Sequence, residues 1–132
     1  MDIIGHGVDV TDIDTFDRLL GDRDGDFLTR CFTESEIRSA GNLTNSTEHF
    51  AGKFAAKEAV AKALGTGFDG DVAQSDIEVM NSGRGQPTIT LHGEAAKVAA
   101  QLHISKWCIS ISHSRTVAIA SAIALGFESK TD

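Results

Sequence analysis

The sequence predicts an α+β fold, in which helices pack on a mainly antiparallel β-sheet. One observation is a long alanine-rich segment, from about Thr47 to Leu64, that has the composition of a helix. The other is a second half with four short strand-like segments, joined in two pairs by polar turns, as in antiparallel hairpins. The 132 residues are enough for one core, and no linker or repeat interrupts them, so residues 1–132 are expected to form a single domain.

The chain is expected to open with a strand followed by a helix. Ile3 to Val10 alternates as a strand does, and its two glycines, Gly5 and Gly7, would let another backbone come close. The run Thr11–Asp14 has the residues of a helix start, and this helix is expected to reach about Leu20.

Shorter helical segments come next, before the long helix. A polar break covers residues 21–25, and Asp26 to Cys31 is expected to form one or two helical turns. Thr33 and Glu36 have the spacing of a capping box, which predicts a short helix. Residues 41–47 are expected to form a loop, and Gly65 is expected to end the long helix. The elements predicted after it are strands at 77–80 and 88–91, a helix at 94–102, and strands at 107–112 and 116–124.

Composition excludes several classes of protein. Hydrophobic residues make up 41% and charged residues 23%, which are values of a folded globular chain. No apolar run is long enough to span a membrane, and the first residues lack the features of a signal peptide, so we expect a cytoplasmic protein. The net charge of −7 argues against a general nucleic-acid surface. Cys31 and Cys108 are expected to be reduced, partly buried thiols, too few for a zinc site.

Glu58 is the most unusual residue of the long helix. It falls within an apolar stripe formed by Ala51, Phe54, Ala55 and Ala61, where an unpaired carboxylate is costly. One explanation is a salt bridge to Lys62 at i+4. The other is that Glu58 binds a cation.

Asp9 offers a partner for the second explanation. It ends the first strand just before a helix, so it could cap that helix. Alternatively, Asp9 and Glu58 could together hold Mg²⁺, which proteins usually bind through one or two carboxylates, with phosphate oxygens and waters as the remaining ligands.

Three lysines form a local basic stripe in this acidic chain. Lys53, Lys57 and Lys62 recur on the long helix, either as a solvated face or as a site for a small polyanion. The run Gly65-Thr66-Gly67 could merely stop the helix, or it could let backbone groups approach a ligand.

These residues carry a resemblance to a known family. The run of residues 54–67, FAAKEAVAKALGTG, strongly resembles the signature of holo-[acyl-carrier-protein] synthases, the small 4′-phosphopantetheinyl transferases. The resemblance extends in order from residue 3 to about residue 125. Its further motifs are Gly5–Val10, Phe32–Glu36, Gly85–Pro87 and Ile109–Ser114.

The resemblance implies the fold of these transferases and a reaction. Coenzyme A would donate its 4′-phosphopantetheine group to a serine of an acyl carrier protein or carrier domain, releasing adenosine 3′,5′-bisphosphate, in support of fatty acid biosynthesis. Asp9 and Glu58 would be ligands of Mg²⁺. Lys62 would act at the leaving phosphate or in proton transfer from the serine.

The resemblance also implies where coenzyme A binds. Lys53 and Lys57 would contact its phosphates, together with Lys62. The enzyme would be a homotrimer, with Asp9 and Glu58 from one chain and the later motifs from the next. The residues expected along the nucleotide are Gly65, Thr66, Gly67, Gly85, Pro87, Ser110, Ser112 and His113.

Three positions depart from the family pattern. Cys108 stands where a histidine is common, and we expect a buried, structural thiol there, with His113 as a possible substitute. Gln86 stands where a basic residue is frequent, with Arg84 close by. The stretch Asp12–Arg18 is acidic, whereas many members of the family carry basic residues there that bind an acidic carrier.

The last departure favours the carrier domain of a type I fatty acid synthase as the acceptor. The first departure keeps a second function open, a coenzyme A-binding protein of the same fold that has lost turnover. A magnesium-dependent diphosphate hydrolase is a third possibility, but it would need more clustered acidic residues than the chain has.

Overall fold

The computed structural model describes residues 1–21, 26–41, 46–68 and 70–128. Strands and helices are mixed along the chain, which confirms the predicted class. A single 3₁₀ turn at Gln74–Asp76 precedes the first hairpin. The elements are β1 (Asp2–Asp12), α1 (Ile13–Leu20), α2 (Asp26–Cys31), α3 (Glu34–Ala40), α4 (Ser46–Leu64), β2 (Ile77–Asn81), β3 (Pro87–Leu91), α5 (Gly93–Gln101), β4 (Ile104–His113) and β5 (Val117–Gly126).

The strands form two antiparallel sheets. One has three strands in the order β1-β5-β4, and the other is the β2–β3 hairpin. In the larger sheet Asp9 lies opposite Ala120, which lies opposite Ile111 on the far strand. One face of this sheet is covered by α4, against which β5 places a row of fully buried alanines at positions 118, 120, 122 and 124.

Two glycines let β1 and α4 approach closely. A Cβ atom at Gly7 would lie 2.0 Å from the Ala59 carbonyl oxygen, and one at Gly5 would lie 2.0 Å from the Ala63 carbonyl oxygen. Only glycine fits at such distances, which is the close approach that the sequence predicts. The strand carrying Asp9 therefore packs directly against the helix carrying Glu58.

A second core lies between α4 and the first three helices. It is rich in aromatic rings: Phe16 packs on Phe27, Phe32 and Phe54, with ring centroids 5.4 to 6.4 Å apart. Cys31 is buried in this core, as expected. This cluster holds α1 beside the end of β1.

The helix ends follow the local signals. Thr33 and Glu36 form both halves of the predicted capping box. Gly65 ends α4 with φ of 82°, a conformation that suits glycine. The long helix begins at Ser46, slightly earlier than predicted, so Ser46 and Thr47 are helical rather than part of a loop. The sequence also predicted a polar break at 21–25 and a loop at 41–47. Most of these two segments, residues 22–25 and 42–45, lies outside the described residues.

The other face of the three-stranded sheet is exposed and partly apolar. Val8, Val10 and Ile119 are 46%, 57% and 42% exposed. Cys108 lies exposed on β4 of this sheet, so the expectation of a buried thiol there was wrong. No helix in the ranges described above is both long and apolar enough to cross a membrane.

Candidate active site

Asp9 is held near the end of β1 by two side chains. Thr11, two residues further along the same strand face, donates a hydrogen bond to Asp9 Oδ2 at 3.1 Å. Lys62 Nζ lies 3.2 Å from Asp9 Oδ1 and also donates to the Val8 carbonyl oxygen at 2.9 Å. Both carboxylate oxygens are therefore engaged, and Asp9 has a defined direction.

The helix-cap explanation for Asp9 is wrong, because the neighbouring Asp12 is the cap. Asp12 accepts hydrogen bonds from the Thr15 backbone N–H at 2.9 Å and from its hydroxyl at 2.7 Å. These bonds hold the pKa of Asp12 below its usual range. Sequence alone could not choose between two aspartates three residues apart.

The salt-bridge explanation for Glu58 also fails. Lys62, its expected partner, pairs with Asp9, and no ion pair to Glu58 forms among the residues that the structure describes. Burial raises the pKa of Glu58, the nearby Asp9 charge raises it further, and Lys62 opposes the shift. Two carboxylates thus share the site with one ammonium group, an imbalance that a bound cation would relieve.

Asp9 and Glu58 line one cleft of about 240 Å³ between β1, α1 and α4. The rest of its lining is largely apolar, from Phe16 and Leu19, with Phe54 one turn before Glu58. A semi-apolar cleft with two convergent carboxylates is the type of place where proteins bind small ligands.

The chemistry of these side chains suits Mg²⁺. Within the described ranges no group of three or more His, Cys, Asp or Glu side chains could hold a metal by itself. A cation at Asp9 and Glu58 would need its remaining ligands from a substrate and water, which Mg²⁺ commonly accepts and structural zinc does not.

Lys57 does not fit the expected phosphate contact. Its side chain is fully buried, and Nζ lies 2.7 Å from Glu36 Oε1. The same nitrogen donates to the carbonyl oxygens of Gln74 and Ile77. With all three N–H groups used inside the protein, Lys57 has none to offer a coenzyme in this structure.

Lys53 is nearly buried as well, at 3% exposure. Its Nζ donates to Ser39 Oγ at 3.2 Å, and burial lowers its pKa. Of the three lysines of the stripe only Lys62 is exposed, at 52% of its side chain. The stripe is therefore neither a solvated face nor one continuous basic surface in this chain.

The glycine turns leave open space beside their backbone. Gly65 and Gly67 have φ of 82° and 54°, and a Cβ at either would meet no atom within 4 Å. Thr66 lies between them. Gly85, with φ of 79°, shapes the β2–β3 turn just before Pro87. The space for a ligand exists at both turns.

The later motif on β4 lies away from Asp9 in one chain. Ser110 aligns with Ser121 and then with the exposed Val8, so Ser110 and Ser112 lie on the sheet face opposite α4. Asp9 and Glu58 lie on the α4 side. The residues expected at one site thus occupy two faces of this sheet.

His113 is on the α4 side too, with Nδ1 3.9 Å from Glu48 Oε2. It therefore points away from the face of Cys108, because strand residues five apart point to opposite faces. This geometry does not support His113 as a substitute at position 108. Arg84 and Gln86 are both exposed in the hairpin turn.

Two residues were missed by the sequence analysis. Thr11 lies on the same strand face as Asp9, and a spacing of two along a predicted strand was a usable signal. Glu36 was assigned only to a capping box, and nothing local indicates that it also pairs with Lys57, 21 residues away.

Comparison with known proteins identifies the family of this chain. The family model for the 4′-phosphopantetheinyl transferase superfamily matches residues 5–120. A holo-[acyl-carrier-protein] synthase of Natranaerobius thermophilus is 43% identical over 121 residues, covering 92% of this chain and 96% of that protein.

Solved structures are similar over nearly their whole length. The holo-[acyl-carrier-protein] synthase of Neisseria meningitidis superposes with a TM-score of 0.84 at 30% identity, covering 94% of this chain and 99% of that one. The Bacillus anthracis synthase in complex with coenzyme A (3′,5′-ADP) gives 0.76 at 36% identity, covering 92% and 96%. The predicted fold family is thereby confirmed, and this chain belongs to the holo-[acyl-carrier-protein] synthase family of the 4′-phosphopantetheinyl transferase superfamily, a family of enzymes.

Proposed function

We propose that the chain transfers the 4′-phosphopantetheine group of coenzyme A to a serine of an acyl carrier protein or carrier domain. The reaction depends on Mg²⁺, releases adenosine 3′,5′-bisphosphate and serves fatty acid biosynthesis. The observation that carries the proposal is the placement of Asp9, Glu58 and Lys62 together beside one cleft. The coenzyme A complex of the Bacillus anthracis relative supports the choice of donor.

Asp9 and Glu58 would hold the metal ion. When bound, Mg²⁺ would neutralise charge on the diphosphate and polarise the phosphorus under attack. Thr11 keeps Asp9 in a fixed direction through its 3.1 Å hydrogen bond. Glu58, whose pKa is raised, would bind as the ionised carboxylate.

Lys62 carries the exposed positive charge of the site. Its ammonium group is half-exposed and lies 3.2 Å from Asp9 Oδ1. A cation at Asp9 would compete with it, and the released Nζ could then donate to a phosphate oxygen of the leaving nucleotide. Lys62 is therefore assigned to the leaving group in this proposal, rather than to the attacking serine.

A homotrimer is the proposed assembly. The exposed apolar sheet face around Val8, Val10 and Ile119 would be covered by neighbouring copies. Contact between copies would also allow Ser110 and Ser112 of one chain to reach the cleft of another, which one chain does not achieve. Light scattering would measure the mass, and Val10→Lys should yield smaller species.

The proposed acceptor is the carrier domain of a type I fatty acid synthase. Helix α1 contributes Thr15 and Leu19 to the cleft, and its N-cap Asp12 lines it too, so the acceptor must meet this helix to reach Asp9. The helix carries Asp14 and Asp17 against Arg18, so an acidic carrier surface would be repelled. Because salt screens this repulsion, transfer to an acidic carrier protein should rise with ionic strength, whereas transfer to a type I domain without that acidic surface should not.

Mass spectrometry of the carrier tests the function directly. The protein is mixed with coenzyme A, Mg²⁺ and an apo carrier, and the carrier should gain one phosphopantetheine group at its serine. Glu58→Ala should retain its fold by circular dichroism and lose transfer. Coenzyme A binding without a mass gain on any carrier would identify the alternative function, a binding protein of the same fold. Full transfer by Glu58→Ala would remove Glu58 from the metal site.

A further inference from the structure

A fully buried ion pair involves the residue next to Glu58 in α4. Lys57 Nζ and Glu36 Oε1 are 2.7 Å apart, and both side chains have no exposed surface. Lys57 immediately precedes Glu58 in α4. The proposed reaction uses neither Glu36 nor Lys57, so the pair requires another explanation.

Each charged group of the pair is bound from several sides. Lys57 Nζ also donates to Gln74 O at 3.1 Å and to Ile77 O. Glu36 accepts from the Val79 backbone N–H at 2.9 Å and from the Thr33 backbone N–H at 2.8 Å. These directional bonds tie α4 to α3, to the 3₁₀ turn and to β2.

Stability alone is a weak reason for such a pair. Removing two charges from water costs about as much as their attraction returns, so apolar side chains of similar size often serve equally well. Hydrogen bonds differ from apolar contacts in that they fix a direction. A buried polar network can therefore specify one arrangement among several of similar packing energy.

The apolar packing of α4 allows more than one rotation of the helix. Its buried residues include Ala51, Ala55, Ala56, Ala59, Ala61 and Ala63. Small, smooth side chains allow a helix to rotate or slide with little loss of contact. The Lys57 bonds resist this on one side of α4, and the close approach of Ala59 to Gly7 resists it on another.

Glu58 lies between these two contacts in the sequence. Successive residues of a helix are about 100° apart, so the directions of Lys57 and Ala59 determine that of Glu58. A small rotation of α4 would turn the Glu58 carboxylate away from Asp9.

We propose that Glu36 and Lys57 are positioning residues, which hold α4 in the rotation that aims Glu58 at Asp9. The inference rests on the proposed metal site, and it assigns to Lys57 an internal role in place of a coenzyme contact. Glu36 acts from α3, through Lys57, without touching substrate or metal.

The test measures metal binding separately from turnover. Glu36→Gln preserves the size of the side chain and one acceptor oxygen but removes the charge that holds Lys57. Mn²⁺ serves as the probe, and its bound fraction is measured by electron paramagnetic resonance with coenzyme A present. We expect the Mn²⁺ dissociation constant to rise roughly tenfold or more, as for other groups that orient a metal ligand. Glu36→Asp, which keeps the charge, should recover part of the affinity.

Val60→Ala is the matched control. Val60 is fully buried on the same helix and makes only apolar contacts, so its truncation lowers stability without touching the polar bonds. Weaker Mn²⁺ binding in Glu36→Gln but not in Val60→Ala supports the proposal. Equal affinities of all variants, or a loss that simply follows the melting temperature in both, would overturn it.

Two further outcomes are decisive. If Glu36→Gln and Glu36→Asp both fail to fold, the pair serves stability and the positioning role is wrong. If the wild-type protein binds no Mn²⁺ with coenzyme A present, the proposed metal site itself fails, and this inference falls with it.

Discussion

Replacing Gly7 with alanine tests how the two carboxylates are brought together. The added Cβ would lie 2.0 Å from the Ala59 carbonyl oxygen and 2.9 Å from its carbon, whereas ordinary contact begins at 3.4 Å. Because both partners are backbone atoms, no side-chain rotation relieves the clash. Strand β1 and helix α4 must separate by more than 1 Å.

The expected cost follows from this displacement. Overpacking of this kind destabilises by about 1 to 3 kcal/mol, which lowers the Tm of a chain of this length by roughly 4 to 11 °C. Gly7 is two residues before Asp9, and Ala59 follows Glu58, so the separation also widens the metal site. A misplacement of this size costs on the order of 100-fold in rate.

Calorimetry and the carrier mass assay measure the two effects, at matched protein concentration because association affects Tm. Gly70→Ala is the control, since a Cβ at Gly70 meets nothing within 4 Å. Its Tm should be within a few degrees of the wild type. A Gly7→Ala protein with wild-type Tm and wild-type turnover would refute the argument that close backbone approach builds the site.

Other consequences concern the charges of the site. Burial raises the pKa of Glu58, so the ionised carboxylate destabilises the metal-free protein at neutral pH. Glu58→Gln should therefore raise the Tm at neutral pH. This increase should fade as the pH falls through the raised pKa, because Glu58 then becomes neutral. The hydrogen bond from Thr33 lowers the pKa of Glu78, so the ionised carboxylate stabilises the protein, and Glu78→Gln should reduce the Tm at neutral pH. This difference should vanish in acid. A lower Tm for Glu58→Gln or a higher Tm for Glu78→Gln at neutral pH would contradict the respective assignment. Lys62→Met should reduce turnover by about 100-fold or more. It should not weaken Mn²⁺ binding, because the Lys62 ammonium group competes with the cation for Asp9. Full turnover would exclude Lys62 from the mechanism.

Local signals in the sequence were sufficient for most of the elements. The capping box at Thr33 predicted α3, and the alanine-rich run predicted α4 to within a residue at its start. The alternating segments of the second half predicted β2 to β5 in order. Such features depend on residues close together in the chain, so they can be read without knowing the fold.

The roles of the charged residues could not be read in the same way. Helical spacing predicted a Glu58–Lys62 pair, but the pair that forms joins Lys62 to Asp9 across 53 positions. The same spacing suggested that Lys53, Lys57 and Lys62 have similar roles. In the structure Lys53 and Lys57 are buried, whereas Lys62 is half-exposed. Exposure and ion pairing depend on what covers each side of α4, and that comes from distant parts of the chain.

The sequence by itself determined the order of the elements, the glycines that allow β1 to touch α4, and the presence of Asp9, Glu58 and Lys62 in a recognisable pattern. Only the tertiary structure decided which aspartate caps α1, which lysine pairs with Asp9, and that Glu36 pairs with Lys57, the neighbour of Glu58. The physical reason is that a charge acquires its role from the partners and the water around it. Those are set by contacts between residues far apart in sequence, whereas helix caps and strand alternation are set by immediate neighbours.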